Sequence, residues 1–274
     1  MNSVHIIGGD KRQVYLRDML CGRGVHASIE GFEKLGIAGE MPRQPEWVLL
    51  PVPYKTPDGY IKAPFAKQKA GLADIAARFP AARFALGRSD SESESLLGGR
   101  AFDLLADEAF LIENAALTAQ GAVAAYLQSS ETSLTGARCV VVGYGRIGKA
   151  LCALLGAFTP HVTATARKPK DLALIESAAL QPLHTRDAAQ ALRDADVVFN
   201  TVPQHVLGEK ELDALKPGAA LIELASPPYG MDISLAKQMG VNVRVEPGLP
   251  GRWFPKSAAA AMLRAFERIN KEGE

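Results

Sequence analysis

The sequence has few cysteines and no surplus of charge of either sign. Its three cysteines, Cys21, Cys139 and Cys152, lie far apart without a CxxC spacing. No disulfide framework is expected, and the three read as small buried hydrophobes in a reducing compartment. Lys and Arg number 31 against 30 for Asp and Glu, a net charge of +1. A general electrostatic grip on nucleic acid is thereby excluded, although a local basic patch is not. No apolar run reaches the ~20 residues that a membrane span needs. The N-terminal stretch enters an apolar run at once and lacks the layout of a secretory signal, so a cytoplasmic protein is expected. There is no GxSxG and no HExxH. The histidines, among them His5, His184 and His205, have no acidic or nucleophilic neighbour at a recognisable spacing. No catalytic residue and no metal set is assigned.

What is present is an ordinary globular composition, 47% hydrophobic and 22% charged over 274 residues. That length suits two domains of ~100–200 residues each. Val4 to Ile7 followed by Gly8-Gly9-Asp10 and an amphipathic stretch from Gln13 to Leu20 reads as strand, glycine turn, helix. Further strands are expected at Val25–Ile29, Trp47–Leu50 and Arg83–Leu86, and a helix at Ala66–Ala77. The polar run Ser89–Ser95 reads as a loop or helix start. In the second half Asn114 can cap a helix from Ala115 to about Leu127. Strands follow at Arg138–Val142, Val162–Ala166, Asp196–Asn200, Ala220–Leu224 and Val241–Val245, with helices between them. A closing helix, Ser257–Asn270, places Met262, Leu263, Phe266 and Ile269 on one face, which should dock on a sheet or on the other domain. Such alternation predicts an α/β protein of two doubly wound parallel-sheet domains, residues 1–113 and 114–274.

Gly143-Tyr144-Gly145-Arg146-Ile147-Gly148 is a GxGxxG that follows an apolar strand and opens a helix, the context in which it marks a Rossmann dinucleotide site. The first glycine permits the tight turn, the second lets a pyrophosphate approach the backbone, and the third lets helix and strand pack. About twenty residues on, an NAD site would offer a carboxylate to the ribose. This chain has Ala166-Arg167-Lys168 instead, and a guanidinium with a second cation suits a 2′-phosphate. NADP is therefore expected. Asn200-Thr201-Val202-Pro203 and Ala225-Ser226 end later strands and should line the same crevice. In the first half, Lys11 and Arg12 at a helix N-terminus suit a carboxylate; the alternative is ordinary surface charge.

The chain also resembles a known family, the A subunit of dipicolinate synthase from spore-forming bacteria, along nearly its whole length. The residues that carry the resemblance are Ile7 to Gln13, Leu50-Pro51-Val52, Gly143 to Gly148, Asn200 to Pro203, Glu223 to Pro227, Pro247 to Gly251, and Pro255-Lys256-Ser257. The resemblance implies an NADP-linked oxidoreductase of the lysine-branch pathway that oxidises dihydrodipicolinate, or its hydrated precursor, to dipicolinate. It further implies a partner, the flavoprotein-like B subunit, and a place in the mother cell during sporulation; a homo-oligomer is a separate expectation. Removing hydride from a dihydropyridine makes an aromatic ring, so the protein has chiefly to align the carbon with the nicotinamide and hold two carboxylates. Lys11 and Arg12 from one side, with Ser226, Arg252 or Lys256 from the other, would form that clamp. The chain departs from the family pattern in three places. Gln120 stands in Thr118–Gly121 where an acidic residue is expected. Pro227-Pro228-Tyr229-Gly230 replaces Arg-Pro-Gly-Gly. Ser257-Ala258-Ala259 follows Lys256. Two other readings remain: a two-domain dehydrogenase of amino or 2-hydroxy acids, and a nucleotide-binding regulatory or scaffold subunit inactive without its partner.

Overall fold

A computed structural model describes residues 3–39 and 44–272. The elements run, in order, β1 (Ser3–Ile7), α1 (Lys11–Cys21), β2 (His26–Glu30), β3 (Trp47–Leu49), α2 (Leu72–Arg78), β4 (Arg83–Leu86), α3 (Ser91–Leu97), β5 (Ala101–Asp103) and α4 (Glu108–Ser129). They continue with β6 (Cys139–Val142), α5 (Arg146–Leu155), β7 (Val162–Ala166), α6 (Pro169–Ser177), β8 (Gln181–His184), α7 (Ala188–Leu192), β9 (Val197–Asn200), α8 (Glu209–Asp213), β10 (Ala220–Glu223), α9 (Ile233–Gln238), β11 (Asn242–Val245), α10 (Leu249–Trp253) and α11 (Pro255–Glu272). The chain forms two compact units, Met1–Asn114 with Pro250–Glu274, and Ala115–Leu249.

The first unit holds a five-stranded sheet in the order β2-β1-β3-β4-β5, with every pair parallel. Side chains of successive strand residues point to opposite faces, so each strand feeds two layers. Val4, Ile6, Trp47 and Leu49 pack with α1 and α11 on one side, through Leu16, Leu20, Met262 and Phe266. Ile7, Val48, Phe84 and Leu86 pack with Ile75 and Phe79 on the other. The sheet order reverses between β1 and β3, and open α/β sheets form a crevice at the carboxyl ends of strands at such a point.

The second unit holds a six-stranded parallel sheet in the order β11-β10-β9-β6-β7-β8. Read from the other edge this is 3-2-1-4-5-6, the dinucleotide-binding topology, and its reversal lies between β6 and β9. The two doubly wound parallel sheets expected from the sequence are therefore present.

The division differs from the expected one at the C-terminus. Residues 250–272 belong with the first unit, where α11 lays its apolar face on α1. Phe266 meets Trp47 edge-on at 5.1 Å between ring centres, and the Trp47 indole N–H donates to the Asn270 side-chain oxygen at 2.9 Å. Burial of a large apolar side chain contributes about 1.5–3 kcal/mol, so a face of Met262, Leu263, Phe266 and Ile269 readily fixes the helix there. Asn114 is not a helix cap, because α4 begins at Glu108. The helix expected at Ala66–Ala77 begins only at Leu72, after an extended Gly71.

Candidate functional site

At the end of β6 the glycine turn does what its spacing requires. Gly143 has φ +98°, and a Cβ there would lie 2.6 Å from both Thr201 Oγ1 and Val202 Cγ2. A Cβ on Gly148 would come to 2.1 Å from the Gly143 carbonyl oxygen. Gly145 has nothing within 4 Å of its Cβ position, so its open side leaves the backbone accessible to a ligand. It is the N-cap of α5 and provides no side-chain cap, which leaves first-turn N–H groups for an anion. These residues fit a dinucleotide pyrophosphate.

The neighbouring strand ends converge on this turn. The Thr201 hydroxyl donates to the Val142 carbonyl at 2.9 Å, and the Gly143 amide donates to the buried Thr165 hydroxyl at 3.3 Å. Ala166 is buried at the end of β7, while Arg167 and Lys168 beyond it are exposed. Tyr144 is half-buried with the Lys149 ammonium 5.6 Å from its ring centre; Arg146 is exposed and Ile147 half-buried. Val202 is half-buried, and Pro203 and Ser226 are exposed. All the residues expected to hold a cofactor thus lie at the carboxyl ends of β6, β7, β9 and β10.

Beneath them Asn200, expected to line the crevice, is instead buried against Glu223, to which the sequence assigns no role. Asn200 and Glu223 are register partners on β9 and β10, and both are fully buried. The Asn200 amide donates to both carboxylate oxygens of Glu223, at 2.8 and 2.9 Å, and to the Val202 carbonyl at 3.0 Å. Glu223 also accepts from the amides of Ala225, at 2.8 Å, and Gly230, at 3.0 Å. Burial pushes the Glu223 carboxyl above its ordinary range, against the pull of those hydrogen bonds. A Cβ on Gly230 would lie 2.1 Å from the Asn200 amide nitrogen, so only glycine fits. The signal in the sequence was a carboxylate closing an otherwise apolar strand.

In the first unit, Gly8-Gly9-Asp10 ends β1 and opens α1 with a capping box. Asp10 accepts from the Arg12 amide, and the Gln13 side chain accepts from the Asp10 amide at 2.8 Å. Arg12 is buried, and its fork grips Asp10 at 2.9 Å through both Nε and Nη2, with a further contact to the Val52 carbonyl at 3.3 Å. Burial alone would raise the Asp10 pKa, but this arginine holds it below its usual value. Lys11 is exposed, as are Arg252 and Lys256. The last two therefore lie on the same unit as Lys11 and Arg12, where the expected clamp had them opposed; Ser226 lies on the other unit. Among the described residues no group of three or more His, Cys, Asp or Glu could hold a metal, and no helix is long and apolar enough to cross a membrane.

Two family descriptions match the chain. Residues 3–105 match the N-terminal domain of the dipicolinate synthase A subunit, and residues 104–228 match the NAD binding domain of D-isomer specific 2-hydroxyacid dehydrogenases. The second match makes that region a nicotinamide-nucleotide domain of the dehydrogenase type, which supports an oxidoreductase. The A subunit of dipicolinate synthase from Bacillus subtilis (strain 168) is 27% identical over 98% of this chain and 96% of its own. The crystal structure of the corresponding subunit from Bacillus halodurans superimposes with a TM-score of 0.87 at 27% identity, covering 98% of this chain and 97% of that one. The crystal structure of the Bacillus subtilis protein gives 0.84 at 26% identity, covering 99% and 96%. In sequence and in fold, from end to end, this chain is a relative of the A subunit of dipicolinate synthase.

Proposed function

We propose that the chain is an NADP-dependent oxidoreductase that converts dihydrodipicolinate, or its hydrated precursor, to dipicolinate, with hydride passing to the nicotinamide. The observation that carries the reading is the whole-length likeness to the dipicolinate synthase A subunit, together with a glycine turn whose open member is Gly145. When bound, the nucleotide accepts the hydride, and the ring gains aromaticity as it loses hydride and a proton. The chain's own task is to position the reactants. Gly143, Gly145 and the first turn of α5 would hold the pyrophosphate. Arg167 and Lys168 would hold the 2′-phosphate, for which their exposure and the lack of a carboxylate before Asp171 argue. Thr201, Val202, Pro203 and Ala225 would border the nicotinamide, with Asn200 buried beneath and holding the Val202 loop in place. By the same likeness, a B-type subunit is the partner.

The test is direct. Purified chain is mixed with NADP and freshly generated dihydrodipicolinate, with and without a B-type partner, and the absorbance of dipicolinate is followed. Product without the partner supports an autonomous enzyme. Product only with the partner favours a subunit that works in complex, and no product in either case overturns the reading.

A further inference from the structure

Arg12 was the expected carboxylate receptor of the first unit, but its guanidinium is already committed to Asp10 and to the Val52 carbonyl. A second arginine lies close by along the same edge. Gly87, which follows β4, is packed so tightly on Val52 that a Cβ would lie 2.6 Å from Val52 Cγ1, and its carbonyl accepts from the Tyr54 amide at 3.0 Å. The next residue is Arg88. The contacts therefore run from Arg12 through Val52 to Gly87, and Arg88 follows, at the carboxyl ends of β3 and β4 beside the β1/β3 reversal.

Arg88 has φ +70°, in the left-handed region that non-glycine residues avoid. Its backbone is held there by Asp103, whose carboxylate accepts from the Arg88 amide at 3.0 Å, the Ser89 amide at 2.8 Å and the Leu105 amide at 2.8 Å. The side chain is exposed, and among the described residues no carboxylate pairs with it. Backbone strain that surrounding structure enforces is concentrated at ligand-binding positions. An unpaired guanidinium is also the group best shaped to take a carboxylate through two parallel hydrogen bonds.

We infer that Arg88 receives one carboxylate of the substrate, and that Asp103 holds the strained backbone which presents it. The inference rests on the dicarboxylate reading above. It assigns Arg12 to the support of the glycine turn, paired with Asp10.

The test is calorimetric titration of dipicolinate, with picolinate as the one-carboxylate control, into the full chain in the presence of NADP. Arg88→Gly and Arg88→Asn both accommodate a left-handed backbone and lose the guanidinium. Each should raise the Kd for dipicolinate about 10- to 100-fold while changing that for picolinate less. Arg88→Gly should also raise Tm by about 2–4 °C as strain is relieved. Ala179, at φ +57° in the other unit, supplies the control: Ala179→Gly should raise Tm in the same way and leave the dipicolinate Kd unchanged. A wild-type chain that binds dipicolinate, with variants that bind it equally well, overturns the inference alone. A wild-type chain that binds neither acid overturns the dicarboxylate reading and the inference with it.

Discussion

The Asn200 side-chain amide reaches both oxygens of the Glu223 carboxylate across adjacent parallel strands, with neither residue exposed to solvent. A carboxylate buried without a cation is costly unless its lone pairs are filled, and here amides fill them. The pair fixes two strand-end loops at once, because Asn200 holds Val202 and Glu223 holds Ala225 and Gly230. Asn200→Asp would set two carboxylates against each other in a dry site. It should cost about 3–5 kcal/mol at neutral pH, and part of the loss should return on acidification as one carboxyl takes a proton. Thermal melts at neutral and acidic pH check this; a loss that does not shrink in acid would contradict it. In the wild type the raised Glu223 pKa has the opposite sign from an ordinary ion pair. Its contribution to stability falls as pH rises from the usual carboxyl range of about 4.5 through the higher folded value, and is constant above that.

The glycine turn separates into structural and ligand-facing members. Gly148→Ala forces a Cβ against the Gly143 carbonyl and should cost about 1–3 kcal/mol or more, since a backbone atom cannot step aside. Gly145→Ala meets nothing in the protein and has an ordinary extended φ of −77°, so the fold should keep its Tm within about 2 °C. Its nucleotide affinity should nevertheless fall more than about 10-fold, because the methyl occupies the side a pyrophosphate approaches. Melting curves paired with NADP titration distinguish the two variants. Equal nucleotide affinity in Gly145→Ala and wild type would remove Gly145 from the cradle.

The second unit was largely legible because its strands are apolar runs ended by glycine, polar or proline residues. Val162–Ala166 coincides with the observed β7 for that reason, as Arg83–Leu86 does with β4 in the first unit. Two edge strands were not legible. β5 is only Ala101–Asp103 and follows Gly98-Gly99. β8 contains Pro182, which removes a ladder donor and is tolerated only where one side of the strand is unpaired. The packing of α11 on α1 required three dimensions, since an amphipathic helix announces a buried face but not its partner. At the site, the convergence of the glycine turn and the later strand ends followed from strand order and motif. The pairing of Arg12 with Asp10 did not, because Asp10 lies two residues away and resembles an ordinary helix cap. Tyr229 adds a related case. It stands at φ +68°, in the left-handed region that favours glycine, so Tyr229→Gly should stabilise the chain by about 1 kcal/mol, measured by denaturant midpoint.

The proposed choice of NADP rests on charge at the end of β7. Arg167 and Lys168 are exposed there, and the first carboxylate beyond them is Asp171, inside the first turn of α6. Arg167→Ala should weaken NADP binding about 10- to 100-fold and leave NAD binding within about 2-fold, since only NADP carries the 2′-phosphate that a guanidinium fork engages. Competitive titration of both nucleotides measures the ratio. An unchanged ratio would sink the assignment of the 2′-phosphate to Arg167.

Acid stability provides a last separable prediction. Glu30, ending β2, lies 3.3 Å from the buried His5 ring and is gripped by both Arg78 terminal nitrogens at 2.8 and 2.7 Å. Burial alone would raise its pKa, yet the His5 and Arg78 contacts prevail and hold it at about 2. A carboxyl held below its unfolded value of 4.5 contributes stability that is fully present above that pH and lost as pH falls towards 2. Asp90, held at about 2 by Lys55, Ser93 and Tyr54 against burial, shares the same acid limb, so the wild-type curve alone does not isolate Glu30. The difference from Glu30→Gln does. That variant keeps the shape but not the charge, and its deficit should be a few kcal/mol at pH 7 and shrink towards zero near pH 2. Urea midpoints at pH 7, 4.5 and 2.5 give the difference directly. A deficit that stays constant across this range would mean that shape, rather than the charge on Glu30, ties β2 to α2.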